Sequence, residues 1–246
     1  MKFFSLLLLL AGCSKIVYPP NRVTERNVLL EVFGYNRCTN CPFSDHAADS
    51  LYTEFGGKVF VLEYHYLVSA LPSQFQDTLS PQPVTNNRCD WYNVTAFPTA
   101  FIDGNINHEG ADENVIDTYR NYINVDLSKQ TPLGISLEND EFTNSGIIKV
   151  HLTYSDSIPF EKTRLFLIIT EDSVLFVQSG VEDSVYNHTV RTILPDSNGL
   201  SITENDTIEE LPYSIKNFWN KKRLEAVVFI QNVETKEIYQ TKGIKF

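Results

Sequence analysis

The 246-residue chain has no run of eighteen apolar residues, so no segment reads as a membrane-spanning helix. It carries no cluster of Lys or Arg, and acidic residues outnumber basic ones 31 to 20. A surface of that sign repels phosphate backbones, which sets nucleic-acid binding aside. Internal repeats and low-complexity tracts are absent, and repeat arrays with them. Cysteine is scarce: there are four. No second CxxC and no HxxxH stands ready to complete a tetrahedral zinc site with Cys38 and Cys41. What remains is 42% hydrophobic, with sixteen Phe and twelve Tyr. That is too apolar for a disordered chain, long enough for one or two domains, and rich in strand formers.

Two halves differ in texture. Residues 23–130 mix strand-like and helix-like runs and hold Cys38, Cys41 and Cys89. Val28 to Phe33 (VLLEVF) is a nearly continuous apolar run, as expected of a strand buried on both faces. Phe43, Ala47, Leu51 and Phe55 recur at steps of four and predict a helix. Pro42 sits in its first turn and Gly56-Gly57 ends it. KVFVLEYHY (58–66) and TAFID (99–103) read as strands, 85–93 as a short helix and Asp103-Gly104 as a hairpin turn. Val115, Ile116, Tyr119, Tyr122 and Ile123 mark another helix. This order implies α/β with a partly parallel sheet.

Residues 131–246 hold no cysteine. Ile148, Val150, Leu152 and Tyr154 alternate with polar residues, the pattern of a half-buried antiparallel strand. Leu165 to Ile169, Leu224 to Gln231 and Glu237 to Lys242 read similarly, with VETKE a turn between the last two. Short strands without helical period predict an all-β, immunoglobulin-like sandwich. Trp219 reads as part of its core.

The first thirteen residues, MKFFSLLLLLAGC, have a charged start and an apolar stretch, as an export signal does. Leu10-Ala11-Gly12-Cys13 resembles the lipobox of bacterial lipoproteins. The resemblance implies a signal peptide over 1–12, lipidation of Cys13 and a tether over 13–22 leading to a domain at 23. Two or three acyl chains give stable anchoring. Ser14 after the anchor, by likeness to lipoprotein sorting rules, implies the outer membrane. Without an acidic run behind it, the expected side is the periplasm.

Cys38-Thr39-Asn40-Cys41-Pro42 lies between a buried strand and a helix start. Unpaired N–H groups and the positive end of the helix dipole stabilise a thiolate there, within the ~3.5–7.5 pKa range of such motifs. Cys38 is expected to be the exposed nucleophile and Cys41 the resolving thiol. Arg37 adds positive potential. Cys89 is the odd thiol, either a buried structural group or a third redox thiol. His65 reads as a packing residue at a strand end. A zinc site would need Cys89 with His46 or His65. A copper site of two thiols and one His is a further alternative, and so is a structural disulfide without turnover.

VLLEVF-x4-CTNCP, a helix, KVFVLEYHY and then YNVTAFPTAFIDG together resemble the thioredoxin superfamily. That resemblance implies a cis proline at Pro98 beside the CxxC, with Phe97, Pro98 and Thr99 holding an extended substrate. It also places Glu31 near the family's buried acid, a candidate proton acceptor, one residue further from the first cysteine than in thioredoxin. LLEVFGYNRCTNCP, NRCDWYNVTAFPTAFIDG and FWNKKRLEAVVFIQNVETKEIYQ resemble the 28-kDa outer-membrane-protein family of lipoproteins. That family implies a thioredoxin-like domain followed by a β-rich one. The expected function is thiol–disulfide exchange on exported proteins, with no cofactor. The alternative is a redox-silent binding or scaffold lipoprotein. An accessible Cys38 favours exchange, and a Cys38 buried under residues 67–87 favours the scaffold.

Overall fold

The computed structural model describes residues 25–181, 185–203 and 208–246. The signal peptide, Cys13 and the tether lie outside the described residues.

Strand β1 (Val28–Gly34) leads to helix α1 (Cys41–Phe55) and to strand β2 (Val59–His65), which pairs parallel with β1. A long loop and helix α2 (Val84–Tyr92) follow. The hairpin β3 (Thr99–Ile102) and β4 (Ile106–Glu109) then adds antiparallel to the other side of β1, and helix α3 (Val115–Leu127) closes the stretch. These are the elements expected from the sequence. Gly56 ends α1 in the left-handed region at φ 42°. The buried stripe of α1 is Ser44, Ala47, Ala48 and Leu51. Phe43, expected on that stripe, is 43% exposed.

After residue 132 the regular elements among the described residues are strands, apart from two single-turn 3-10 helices at Phe160–Lys162 and Lys221–Arg223. The strands are β5 (Leu133–Glu141), β6 (Ser145–Tyr154), β7 (Thr163–Glu171), β8 (Val174–Leu175), β9 (Val185–Tyr186) and β10 (Thr189–Leu194). Then come β11 (Leu200–Ser201), β12 (Ile208–Ser214), β13 (Leu224–Asn232) and β14 (Ile238–Lys245). The turn between β13 and β14 is VETKE, as read from the sequence. Strand β6 shows the expected alternation of burial. Strands β7 and β13 do not. Almost every residue of both is buried, because a layer covers each face.

That layering follows from side-chain parity. Val28, Leu30 and Val32 of β1 pack on α1 and α3, while Leu29 and Phe33 face the other way. There they meet Phe166 and Ile168 of β7 and Val227 and Phe229 of β13. The opposite faces of β7 and β13, among them Leu165, Leu167, Ala226 and Val228, pack on Ile148 and Val150 of β6 and Leu211 of β12. The protein is therefore a mixed α/β unit and a β-rich unit stacked through apolar sheet faces.

The main sheet runs β14-β13-β7-β10-β2-β1-β3-β4, with β11 paired to β7, and so crosses the expected division near residue 130. The crossing is one parallel pairing, Thr189 of β10 with Glu63 of β2, where the Glu63 N–H donates to His188 O at 2.9 Å. A buried clip adds to it. Arg26 donates to Asp103 Oδ2 and to Ile238 O, each at 2.8 Å.

Candidate functional site

Strand β1 ends at Gly34, and the chain turns at once. The Cys38 N–H donates to Tyr35 O at 3.0 Å. A Cβ on Gly34 would stand 3.0 Å from Cys41 Sγ, so glycine lets the second cysteine lie against the strand end. Helix α1 begins at Cys41. Its N-cap, Asn40, makes no side-chain capping bond, and Pro42 in the first turn has no N–H to satisfy. The positive end of the helix dipole thus faces the cysteines. Cys38 and Cys41 are disulfide-bonded, with Cα atoms 5.4 Å apart.

The disulfide forms part of the wall of a cavity of about 250 Å³. Tyr35, Thr39, Pro42 and Asp45 line it from the first unit, and Gly180, Val181 and Tyr186 from the second. Cys38 is 8% exposed and Cys41 3%. The expected exposed nucleophile is therefore largely buried. No residue of 67–87 lines the cavity with it, whereas Gly180 and Val181, in the loop that leaves β8, do. Gln178 latches that loop down: its Oε1 accepts from Asn36 Nδ2 and Arg37 Nη1, and its Nε2 donates to Gln74 O. Arg37 also donates to Ser179 O at 2.7 Å and lies over the Phe75 ring.

The 67–87 segment acts from beneath. Asp77 Oδ2 accepts from the Asn36 N–H at 2.7 Å and lies 2.9 Å from His65 Nδ1. The His65 ring meets the edge of Tyr186, a cavity residue. Burial alone pushes the Asp77 carboxyl up, but His65 and the N–H groups of Leu79 and Asn36 outweigh it and hold it below its ordinary 3.8. A lowered carboxyl stabilises the fold above its ordinary value, and that contribution is lost as pH falls through the folded value. Asp77→Asn is therefore expected to be less stable than the parent at pH 7, with the gap shrinking below about pH 4. Urea melts across that range measure it.

The Phe97–Pro98 bond is cis. Thr99 pairs with Phe33, so this turn stands beside the Gly34 exit from which the cysteine loop starts. Tyr35 bridges the two, its ring centroid 5.5 Å from that of Phe97. Pro98 O accepts from the Gly110 N–H, and Thr99 Oγ1 donates to Ala96 O. Neither Phe97 nor Pro98 lines the cavity.

Glu31 is not at the site. It shares the β1 face of Leu29 and Phe33, opposite to that of Gly34, whose side meets Cys41. There it is fully buried and accepts from Arg88 Nε (2.9 Å), Tyr64 Oη (3.1 Å) and Tyr92 Oη (2.5 Å). The expected proton acceptor is thus a structural ion-pair partner. Strand parity is the physical reason: with Gly34 set against Cys41, the side chain three residues before it faces the other way.

The buried acid on the α1 side is Glu63, which the sequence reading passed over. It is 3% exposed, and its Oε1 has no hydrogen-bond partner among the described residues. Burial pushes its carboxyl well up, and the charges of Asp45, Asp49 and Asp172 push it further. Asp45 is also a cavity residue. The signal for Glu63 was in the strand itself, where it shares parity with Val59 and Val61, the residues packed beneath α1.

Cys89 is free and 1% exposed, on the side of α2 that faces the inter-unit core. Burial and the neighbouring Asp90 push its thiol far up. That suits a packing thiol and opposes the third redox role. His188 sits between Asp49 and Asp172, at 3.3 and 3.4 Å, and so ties α1 to the second unit.

Comparison with known protein families and with curated proteins gives no match. Solved structures do match. HBP35 of Porphyromonas gingivalis superposes with a TM-score of 0.68 at 18% identity, over 91% of this chain and 76% of that one. A protein of Agrobacterium tumefaciens superposes with a TM-score of 0.54 at 14% identity, over 92% and 96%. A domain of the outer membrane lipoprotein Omp28 from Porphyromonas gingivalis aligns over 47% of this chain and 88% of that one, with a TM-score of 0.37 and 15% identity. At these identities the first two likenesses establish a shared fold across nearly the whole chain.

Proposed function

We propose that the chain is a lipid-anchored thiol–disulfide exchange protein of the outer membrane, facing the periplasm and acting on exported proteins. Residues 23–130 are read as a thioredoxin-like domain. The sheet order β2-β1-β3-β4, with α1 between the parallel pair and a cis proline before β3, supports this. Residues 131–246 are read as an immunoglobulin-like domain. The three-stranded sheet β12-β6-β5 facing β14-β13-β7 supports that.

The observation that carries the functional reading is the position of the Cys38–Cys41 disulfide, at the dipole end of α1 and in the wall of a cavity. In the dithiol form the Cys38 thiolate attacks a substrate disulfide, forming a mixed disulfide and releasing one substrate thiolate. Cys41 then attacks Cys38 Sγ, re-forming the internal disulfide and releasing the second thiolate. Phe97, whose backbone N–H and carbonyl bond no other backbone group among the described residues, offers pairing groups to an extended substrate. The direct test is reduction of insulin by the protein in the presence of dithiothreitol. Precipitation of insulin chains several-fold faster than with dithiothreitol alone supports exchange, and an unchanged rate rejects it.

The coverage of Cys38 favours a second reading, a binding lipoprotein with a structural disulfide. The Gln178 latch separates the two. Gln178→Ala removes the hydrogen bonds to Asn36, Arg37, Gln74 and Gln76 that hold the loop down. If the loop is a gate, the variant is expected to be reduced by dithiothreitol about tenfold faster than the parent, since ~1.4 kcal/mol of latch is one factor of ten. Equal rates, followed by quenched alkylation, favour the silent disulfide.

A further inference from the structure

A second cavity, of about 260 Å³, lies between α2, the β7–β10 pair and the loop after β10. It shares no lining residue with the disulfide cavity, and exchange chemistry makes no use of it. Its walls are Trp91, Phe166, Ile168 and Ile193, with Arg88 among them and Ser197 at the edge. Arg88 is only 6% exposed, and its guanidinium carbon stands 5.0 Å from the Trp91 ring and 5.2 Å from that of Phe166.

The guanidinium is only partly used. Its Nε and Nη2 donate to Glu31, Tyr92 and Gln231. Nη1 bonds no protein atom among the described residues. Nη1 is not sealed from solvent, so it is a donor left to water, and the cavity that Arg88 lines is where an acceptor on a ligand can replace that water. The charge balance selects its kind. Glu31 already neutralises Arg88, so an added carboxylate would be buried without a counter-charge in a chain of net charge −11. A neutral carbonyl meets the donor without that penalty. The volume lies between the ~150 Å³ that takes a benzene ring and the ~300 Å³ at which drug-sized pockets begin.

We propose that this cavity binds a small neutral molecule. An aromatic or branched apolar body packs on Trp91, Phe166, Ile168 and Ile193, and a single carbonyl oxygen accepts from Arg88 Nη1. This proposal is independent of the exchange reading.

The test is titration of the full chain with phenylacetamide, toluene and phenylacetate, read on the indole N–H resonance of Trp91. Trp219, buried in the other core, is the internal reference. Phenylacetamide is expected to give a saturable shift at Trp91 and none at Trp219. Toluene, which lacks the acceptor, should bind about tenfold more weakly, the worth of one hydrogen bond to a charged group. Phenylacetate should also bind more weakly than the amide. Ser197→Trp, at an exposed position on the rim, should abolish the shift without disturbing the core. No saturable shift at Trp91, toluene or phenylacetate equal to the amide, or full binding in Ser197→Trp would each overturn the proposal.

Discussion

Cys41→Ser is expected to accumulate as a stable mixed disulfide with substrate protein through Cys38, whereas Cys38→Ser accumulates none. The asymmetry follows from position. Cys41 is the first residue of α1, 3% exposed, and its sulfur lies against Gly34 at the strand end. Cys38 stands three residues earlier, in the turn that borders the cavity, and is the more exposed of the two. On this placement Cys38 is expected to meet an outside thiol and Cys41 to release what Cys38 has captured. The single-turnover rate of Cys38→Ser with insulin should fall at least a hundredfold. Non-reducing gels of membrane extracts, with the trapped partners recovered on reduction, measure the asymmetry. Equal trapping by both variants would contradict the assignment of roles.

Arg88→Met is expected to destabilise the fold by about 3–5 kcal/mol, because it leaves the Glu31 carboxylate buried with its counter-charge gone. Glu31 is fully buried, and Tyr64 and Tyr92 hydroxyls alone cannot balance an ion there. The double substitution Glu31→Leu with Arg88→Met removes both charges and should cost less than the single one. Urea denaturation of the three proteins measures this. In the fraction that remains folded, the rate of exchange at Cys38 should be unchanged, since the pair lies on the far face of β1 from Cys41. A shifted pH profile of exchange in Glu31→Gln would restore the role that the fold denies to this acid.

The contrast between Glu31 and Glu63 shows what was legible and what was not. Each acid interrupts an apolar run; both runs are strands, as expected, and both are buried, which was expected only of the first. Which face each acid takes is a matter of parity, countable once a strand's packing neighbours are known. Val59 and Val61 lie beneath α1, so Glu63 does too, while Glu31 sides with Leu29 and Phe33. A second layer over β7 and β13 was harder to foresee. Their residues are apolar at both parities, as in β1, yet they were expected to be exposed on one side. The partner that covers their second face comes from more than a hundred residues earlier in the chain. The Gln178 latch was illegible for the same reason. Its contacts with Asn36 and Arg37 span 142 and 141 residues, and no local pattern announces a hydrogen bond of that range. Local signals did find the CxxC and the VETKE turn, because each is specified within a few residues, whereas the cis bond at Pro98 was expected only from the family resemblance.

The most direct measurement of the central claim is the rate of alkylation of Cys38 in the reduced protein as a function of pH, with Cys13→Ser, Cys41→Ser and Cys89→Ala isolating the single thiol. A sulfur at the dipole end of α1 should titrate below about pH 7.5 and react at neutral pH. A midpoint near 8.5 or above, the value of an unassisted thiol, would contradict it.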